Sequence, residues 1–278
     1  MMKVRKITRE EIEAYQRDGA VYLPNLLDQD GVKKLLEATD DRERAVGDYR
    51  TELAPDSRFF EERFIYDKVP VMKEYVEESG LAELAGLAMG AEKARILFDH
   101  LFVCEPNTPV DYYWHQDISY WPIDGDQICS IWLTLTDCNV DSSSLQIVKG
   151  SDKEGVYPIR QFGEGDLGDE ARQNYNPEAI PEYHKQAEKY DILAPDMKAG
   201  DALLFNAKVM HSSAGNRTPN MRRAAYSIRY IGDDVVWYPR PAFHREALTP
   251  EGDLKPGDPF VGKKFPVLWE RPHADQAE

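Results

Sequence analysis

Tyr113-Trp114-His115-Gln116-Asp117 sets an imidazole and a carboxylate two residues apart. Alternate side chains of an extended strand share a face, so His115 and Asp117 should project together, with Tyr113 beside them. Such a pair supplies two ligands of a 2-His-1-carboxylate iron site if a second histidine arrives from elsewhere. On its own the motif is equally a polar surface strand. The third ligand should lie at a strand end well downstream. Of the six histidines, His211 fits best, because it directly follows an apolar run that starts at Asp201. His184 falls in a polar insertion, His244 and His273 in the tail. His100 lies in a strand upstream, where a hydrogen-bonded core histidine is the better reading. Three protein ligands leave three positions on octahedral iron, which suits a bidentate 2-oxo acid plus O2. The distal carboxylate of that acid needs a cation, and a guanidinium can grip it with two hydrogen bonds. Arg222 and Arg223 begin the strand after His211. Only one of them can face the site, and periodicity alone does not choose between them.

The elements that must carry these residues are mostly strands. Residues 95–105, 112–120, 127–136, 145–148, 201–207 and 222–231 read as strands separated by turns. No helices intervene, which favours an antiparallel sandwich or jelly roll over a parallel α/β sheet. The first third reads as helical. Thr8 and Glu11 form a capping box, Gly19 is a C-cap, and 20–24 is a short strand ended by proline. Asp30 opens a second helix with Val32, Leu35 and Leu36 on one face, and helices follow at 70–78 and 81–89. Residues 39–67 are charged and fit no element well. Residues 151–197 form a long polar insertion, with a helix near 181–189. It reads as a lid or as a solvated loop. The expected organisation is one domain over 1–278. It has a helical N-terminal part (about 1–92), a β core (about 93–235) interrupted by the lid-like insertion, and a C-terminal arm (236–278).

Composition narrows the function classes. The chain has 278 residues, 42% of them hydrophobic and 30% charged, with a net charge of −16. Its mean hydropathy is −0.59. The charge argues against binding a phosphate backbone, and no apolar run nears the roughly 20 residues that span a bilayer. The basic start is followed by an acid-rich helix and not by an apolar leader segment. Cys104, Cys129 and Cys138 sit in apolar runs and match neither a disulfide framework nor a zinc spacing. Buried thiols in a reducing, cytoplasmic compartment are expected.

Taken together, His115-Gln116-Asp117, Trp132, Gly200-Asp201, His211 and Arg222 resemble the phytanoyl-CoA dioxygenase (PhyH) family of Fe(II)/2-oxoglutarate oxygenases. Asp18-Gly19-Ala20-Val21-Tyr22 is similar to the strand that follows the first helix in that family. The resemblance runs from about Ile7 to Tyr230. It implies a mainly β fold with flanking helices, whose core is a double-stranded β-helix of the jelly-roll, cupin-like type. It implies His115, Asp117 and His211 as iron ligands. The family places its 2-oxoglutarate arginine eleven residues after the distal histidine, which selects Arg222. Ser213, Thr134, Trp132 and Tyr112 match pocket positions, each with core packing as the plainer alternative. Many members carry an ENG...PGSH segment; here 141–152 lacks the Gly of ENG and the closing His, so a different turn is expected there. Halogenating relatives have a small residue at the Asp117 position, so its carboxylate favours oxygen insertion. The implied reaction consumes O2 and 2-oxoglutarate, releases succinate and CO2, and hydroxylates a C–H bond of a small molecule. The other reading is a cupin-like protein that holds metal or ligand without turnover. Tyr113, Tyr120, Trp121, Trp237 and Tyr238 are expected in either a substrate pocket or the core.

Overall fold

The computed structural model describes residues 1–43, 47–56, 58–159, 180–181, 183–240 and 246–272. In chain order the elements are α1 (Arg9–Asp18), β1 (Ala20–Leu23), α2 (Gln29–Glu43), β2 (Arg50–Ala54), β3 (Phe59–Arg63), α3 (Pro70–Glu78) and α4 (Leu81–Met89). Then come β4 (Lys93–Cys104), β5 (Tyr112–His115), β6 (Ile123–Asp124), β7 (Ile128–Thr134), β8 (Leu145–Val148) and β9 (Ile192–Leu193). The last are β10 (Ala202–Asn206), β11 (His211–Ser213), β12 (Arg223–Ile231), β13 (Val236–Trp237) and β14 (Val267–Glu270).

All strand pairings are antiparallel. The large sheet runs β1-β10-β7-β12-β4-β3-β2, with β14 added beside β4. The smaller sheet runs β5-β11-β8-β9, and β6 pairs with β13. The fold is the double-stranded β-helix expected from the resemblance, with a minor helical part.

Local chemistry explains the junctions. The Thr8 hydroxyl accepts from the Glu11 N–H at 3.2 Å, and the Glu11 carboxylate accepts from the Thr8 N–H at 2.8 Å. Gly19 then ends α1 at φ 70°, so β1 can start at once. Gly200 turns the chain into β10 at φ 99°, and a Cβ there would stand 2.4 Å from the Leu27 carbonyl oxygen. Asp201 ties that turn to β1, accepting from the Asn25 N–H at 2.7 Å and the Tyr22 hydroxyl at 2.5 Å.

The central strands divide their residues strictly between two faces. On β12, Ala224, Tyr226, Ile228 and Tyr230 face outward. They join Ile131 and Leu133 of β7 and Tyr15, Leu35, Tyr75 and Leu84 of the helices in the main core. The opposite parity of β12 and β7 faces the interior between the two sheets. There Trp132, Leu203, Phe205, Ala225 and Ile147 form a second, smaller cluster. Within 39–67, which the sequence leaves unplaced, residues 39–43 complete α2, and β2 and β3 pair at the edge of the large sheet. Residues 160–179 and 182 of the expected lid, and His244 and His273 of the tail, lie outside the described residues. The described end of the insertion holds a short 3₁₀ segment at Tyr183–Lys189.

Candidate active site

His115 ends β5 and His211 begins β11, and the two residues are direct cross-strand partners. Their rings lie 4.2 Å apart between centroids. Asp117 follows at the start of a 3₁₀ turn, Asp117–Tyr120, and not within a strand. Its Oδ1 is 3.8 Å from His115 Nε2 and 3.6 Å from His211 Nε2. One ligand atom from each of the three lies within 4.8 Å of the others, and all three residues are buried.

Strand alternation does not explain this face in full. Ser213 pairs with Tyr112 while His211 pairs with His115, so two steps on β11 face three on β5. The extra residue is a β-bulge. It turns Tyr112 and His115 to the same side and sends Tyr113 outward, where it is 51% exposed. The expectation that Tyr113 shares the motif's face is therefore corrected.

Protonation states suit a cation. His115 Nδ1 lies 2.7 Å from the Tyr113 carbonyl oxygen and His211 Nδ1 3.2 Å from that of Val209. Each Nδ1–H therefore donates to the backbone, leaving an Nε2 lone pair aimed at the shared space. Burial, with the neighbouring His211, pushes His115 down to about 3, and burial likewise pushes His211 down. Both are neutral near pH 7. Burial opposes ionisation of Asp117, but the histidines when protonated, His211 foremost, together with the Arg229 charge and the Ser130 hydroxyl, hold its carboxyl below the usual range. Two neutral imidazoles and one carboxylate, with Nδ1 atoms anchored, fit ferrous iron.

These groups line a cavity of about 650 Å³. Arg223 enters it from β12 and is 2% exposed. Its Nε donates to the Ser143 carbonyl at 3.1 Å and its Nη2 to the Ser143 hydroxyl at 3.2 Å. Its Nη1 is buried and has no hydrogen-bond partner among the described residues. Ser213 completes the corner, with its hydroxyl 2.8 Å from that of Ser143 and donating to the Ser143 carbonyl at 3.0 Å. Ser143 adopts φ 71° in the segment where the family's glycine is missing. A serine tolerates that left-handed backbone at some strain, and the turn offers Arg223 both a carbonyl and a hydroxyl.

The structure separates the two arginines. Arg222 precedes β12 and points to the opposite side. There it pairs with Asp40 at 2.5 Å, Glu105 at 2.8 Å and Glu43 at 3.3 Å. It does not line the cavity, so the expectation that Arg222 is the arginine facing the site is corrected: Arg223 faces it. Thr134 does not line the cavity either; its hydroxyl donates to the Thr136 carbonyl at 2.6 Å. Trp132, Tyr112, Ser213, Tyr120 and Trp121 line the cavity, whereas Trp237 does not, although it packs in the same apolar cluster as Tyr120 and Trp121.

The sequence motifs do not announce several lining groups, among them Arg229, Glu61 and Arg63. Arg229, 4% exposed, lies 3.8 Å from Asp117 Oδ2. Glu61 and Arg63 of β3 form an ion pair at the cavity, and Tyr112 donates to Glu61, with His100 Nε2 at 3.1 Å. Burial opposes ionisation of Glu61, but Arg63 and His100 hold its carboxyl well below the usual range. A signal for the β12 pair was available. Tyr226, Ile228 and Tyr230 form one apolar parity, so Arg223, Ser227 and Arg229 must share the other. The β3 pair had no such signal, since 39–67 reads as irregular.

Comparison with known proteins agrees with this site. The family model described as "Phytanoyl-CoA dioxygenase (PhyH)" matches residues 15–224. An ectoine dioxygenase of Stutzerimonas stutzeri is 27% identical over 274 residues, covering 90% of this chain and 88% of that one. A probable phytanoyl-CoA dioxygenase of Caenorhabditis elegans is 26% identical, covering 61% and 53%. Among solved structures, the carbocyclase SnoK from nogalamycin biosynthesis superposes with a TM-score of 0.70 at 20% identity, covering 94% and 96%. EctD from S. alaskensis with bound Fe gives 0.68 at 21% identity, covering 93% of each chain. The chain belongs to the phytanoyl-CoA dioxygenase (PhyH) family of Fe(II)/2-oxoglutarate-dependent dioxygenases.

Proposed function

We propose that this enzyme hydroxylates a C–H bond of a small molecule, with His115, Asp117 and His211 as the iron ligands and Arg223 as the anchor of 2-oxoglutarate. One observation carries the reading: the three converging ligand atoms share a cavity with a buried guanidinium whose Nη1 has no hydrogen-bond partner among the described residues. An unmatched buried donor is costly, and a carboxylate is the partner its planar fork fits best. Ser143 and Ser213 fix Arg223 in that pose.

Bound Fe(II) and 2-oxoglutarate supply the oxidising power from O2, with release of succinate and CO2. The protein's own work is positional. The two Nδ1–H···O=C hydrogen bonds orient the imidazoles, and the buried setting keeps them neutral so that no proton must leave before metal binds. Phe98, Phe102, Tyr120 and Trp121 wall the rest of the cavity and exclude water from the reacting C–H bond. Asp117 favours oxygen insertion over halogenation because the carboxylate fills the place a halide would need. The relatives' names cover ectoine oxidation and the carbocyclase and epimerase of nogalamycin biosynthesis, which supports a small-molecule substrate.

The test is anaerobic addition of Fe(II) and then 2-oxoglutarate, followed by a substrate screen that reads succinate. A visible metal-to-ligand charge-transfer band and substrate-dependent succinate are expected. Iron binding without the band would leave a metal-holding protein without turnover.

A further inference from the structure

We infer that Ser130 and Arg229 form a clamp on Asp117, holding one carboxylate oxygen away from the metal site so that the other alone serves it. The inference rests on the reading of Asp117 as a metal ligand. The two oxygens have different surroundings. Oδ1 faces the Nε2 atoms of both histidines, at 3.8 and 3.6 Å. Oδ2 accepts from the Ser130 hydroxyl at 3.1 Å and faces Arg229 Nη2 at 3.8 Å.

The clamp is built into the sheet. Ser130 and Arg229 are direct cross-strand partners on β7 and β12, both facing the interior. Ser130 is fully buried. Arg229 is fixed by donation from Nη1 to the Ser227 carbonyl at 3.3 Å, and its guanidinium carbon lies 4.9 Å over the Phe98 ring. Phe102 lies between the two arginines, 5.9 Å from each guanidinium carbon. Arg223 and Arg229 therefore divide the labour along one strand, one toward the co-substrate and one toward the metal's carboxylate.

Asp117 needs this help. His115 and His211 sit in a paired ladder, whereas Asp117 lies on a 3₁₀ turn just beyond it. Its side chain can rotate unless Oδ2 is held. A carboxylate that offered both oxygens to iron would take a position that co-substrate or O2 requires. Partners behind a ligand set its orientation, and their loss commonly costs 10–100-fold in metal affinity.

The test is anaerobic Fe(II) titration of the full chain as wild type, Ser130→Ala, Arg229→Gln and Arg229→Lys, with thermal midpoints measured in parallel. Ser130→Ala and Arg229→Gln should each weaken Fe(II) binding by about 10-fold or more. Affinity for 2-oxoglutarate at saturating Fe(II) should stay unchanged, and Arg229→Lys should recover part of the loss. A purely structural role would lower the thermal midpoint and leave Fe(II) affinity in the folded protein alone; that result overturns the clamp. A loss confined to 2-oxoglutarate affinity also overturns it, making Arg229 a co-substrate contact. Should Arg229→Gln not fold, Ser130→Ala, which deletes one hydroxyl, decides the matter. A wild type that binds no Fe(II) refutes instead the ligand assignment on which the clamp rests.

Discussion

The two faces of β12 solve opposite problems with alternate residues of one strand. Outward, Ala224, Tyr226, Ile228 and Tyr230 are buried against the helices. Inward, Arg223, Ser227 and Arg229 are just as buried but polar. Removing apolar area from water stabilises the fold, whereas desolvating two guanidiniums costs free energy unless they find partners. Among the described residues, Arg223 has no hydrogen-bond partner for Nη1 and Arg229 none for Nε. The outward face thus supplies stability that the inward face gives up in order to hold charge ready. The division is not perfect. Asp99 of β4 lies on the outward side, where it accepts from the Tyr226 hydroxyl at 2.8 Å and the Ile65 N–H at 3.1 Å.

This contrast can be broken from either side. The largest effect is expected inward: His211→Ala should abolish the Fe(II)/2-oxoglutarate charge-transfer band and turnover, with the thermal midpoint nearly unchanged. Ultraviolet–visible titration and calorimetry check both halves. Outward, Ile228→Ala should destabilise the fold by about 2–5 kcal/mol through a core cavity. At a temperature where the variant stays folded, its affinity for 2-oxoglutarate should match wild type.

A smaller effect tests the exception. Burial pushes the Asp99 carboxyl up to about 6, from a usual value of 3.8. The folded state therefore binds this proton more tightly than the unfolded chain, so the stabilisation is present at low pH and is lost as pH rises from about 4 through about 6. The change is on the order of 3 kcal/mol over that window. Denaturant titrations should show the wild type losing stability relative to Asp99→Asn across it, with a constant difference above about pH 7. Parallel curves throughout would contradict a raised Asp99.

How much of this was legible follows from which residues announce themselves locally. The turns and caps at Thr8, Gly19 and Gly200 carry their signal in neighbouring residues, as do the apolar runs of the core strands. The helices at Pro70–Glu78 and Leu81–Met89 were equally plain. His115 and Asp117 stood out by residue type and alternate spacing, and His211 by residue type and its place at a strand end. The bulge at Tyr112–His115 was hidden, because it depends on how β5 pairs with a strand almost a hundred residues away. The same nonlocality hid Glu61 and Arg63, whose strand is short, charged and placed by pairing with β4. Counting eleven residues from His211 chose Arg222, yet the parity of Tyr226, Ile228 and Tyr230 already pointed to Arg223.

The most direct measurement is the dissociation constant of 2-oxoglutarate, under anaerobic Fe(II), for Arg223→Ala and Arg222→Ala side by side. Losing a charged, buried hydrogen-bonding partner of the carboxylate should cost Arg223→Ala about 10–100-fold in affinity. Arg222→Ala removes only a partly exposed ion-pair cluster. It should bind the co-substrate like wild type and lose at most about 1 kcal/mol of stability. The reverse order, with Arg222→Ala impaired and Arg223→Ala normal, would contradict the assignment of the inward face of β12 to the co-substrate.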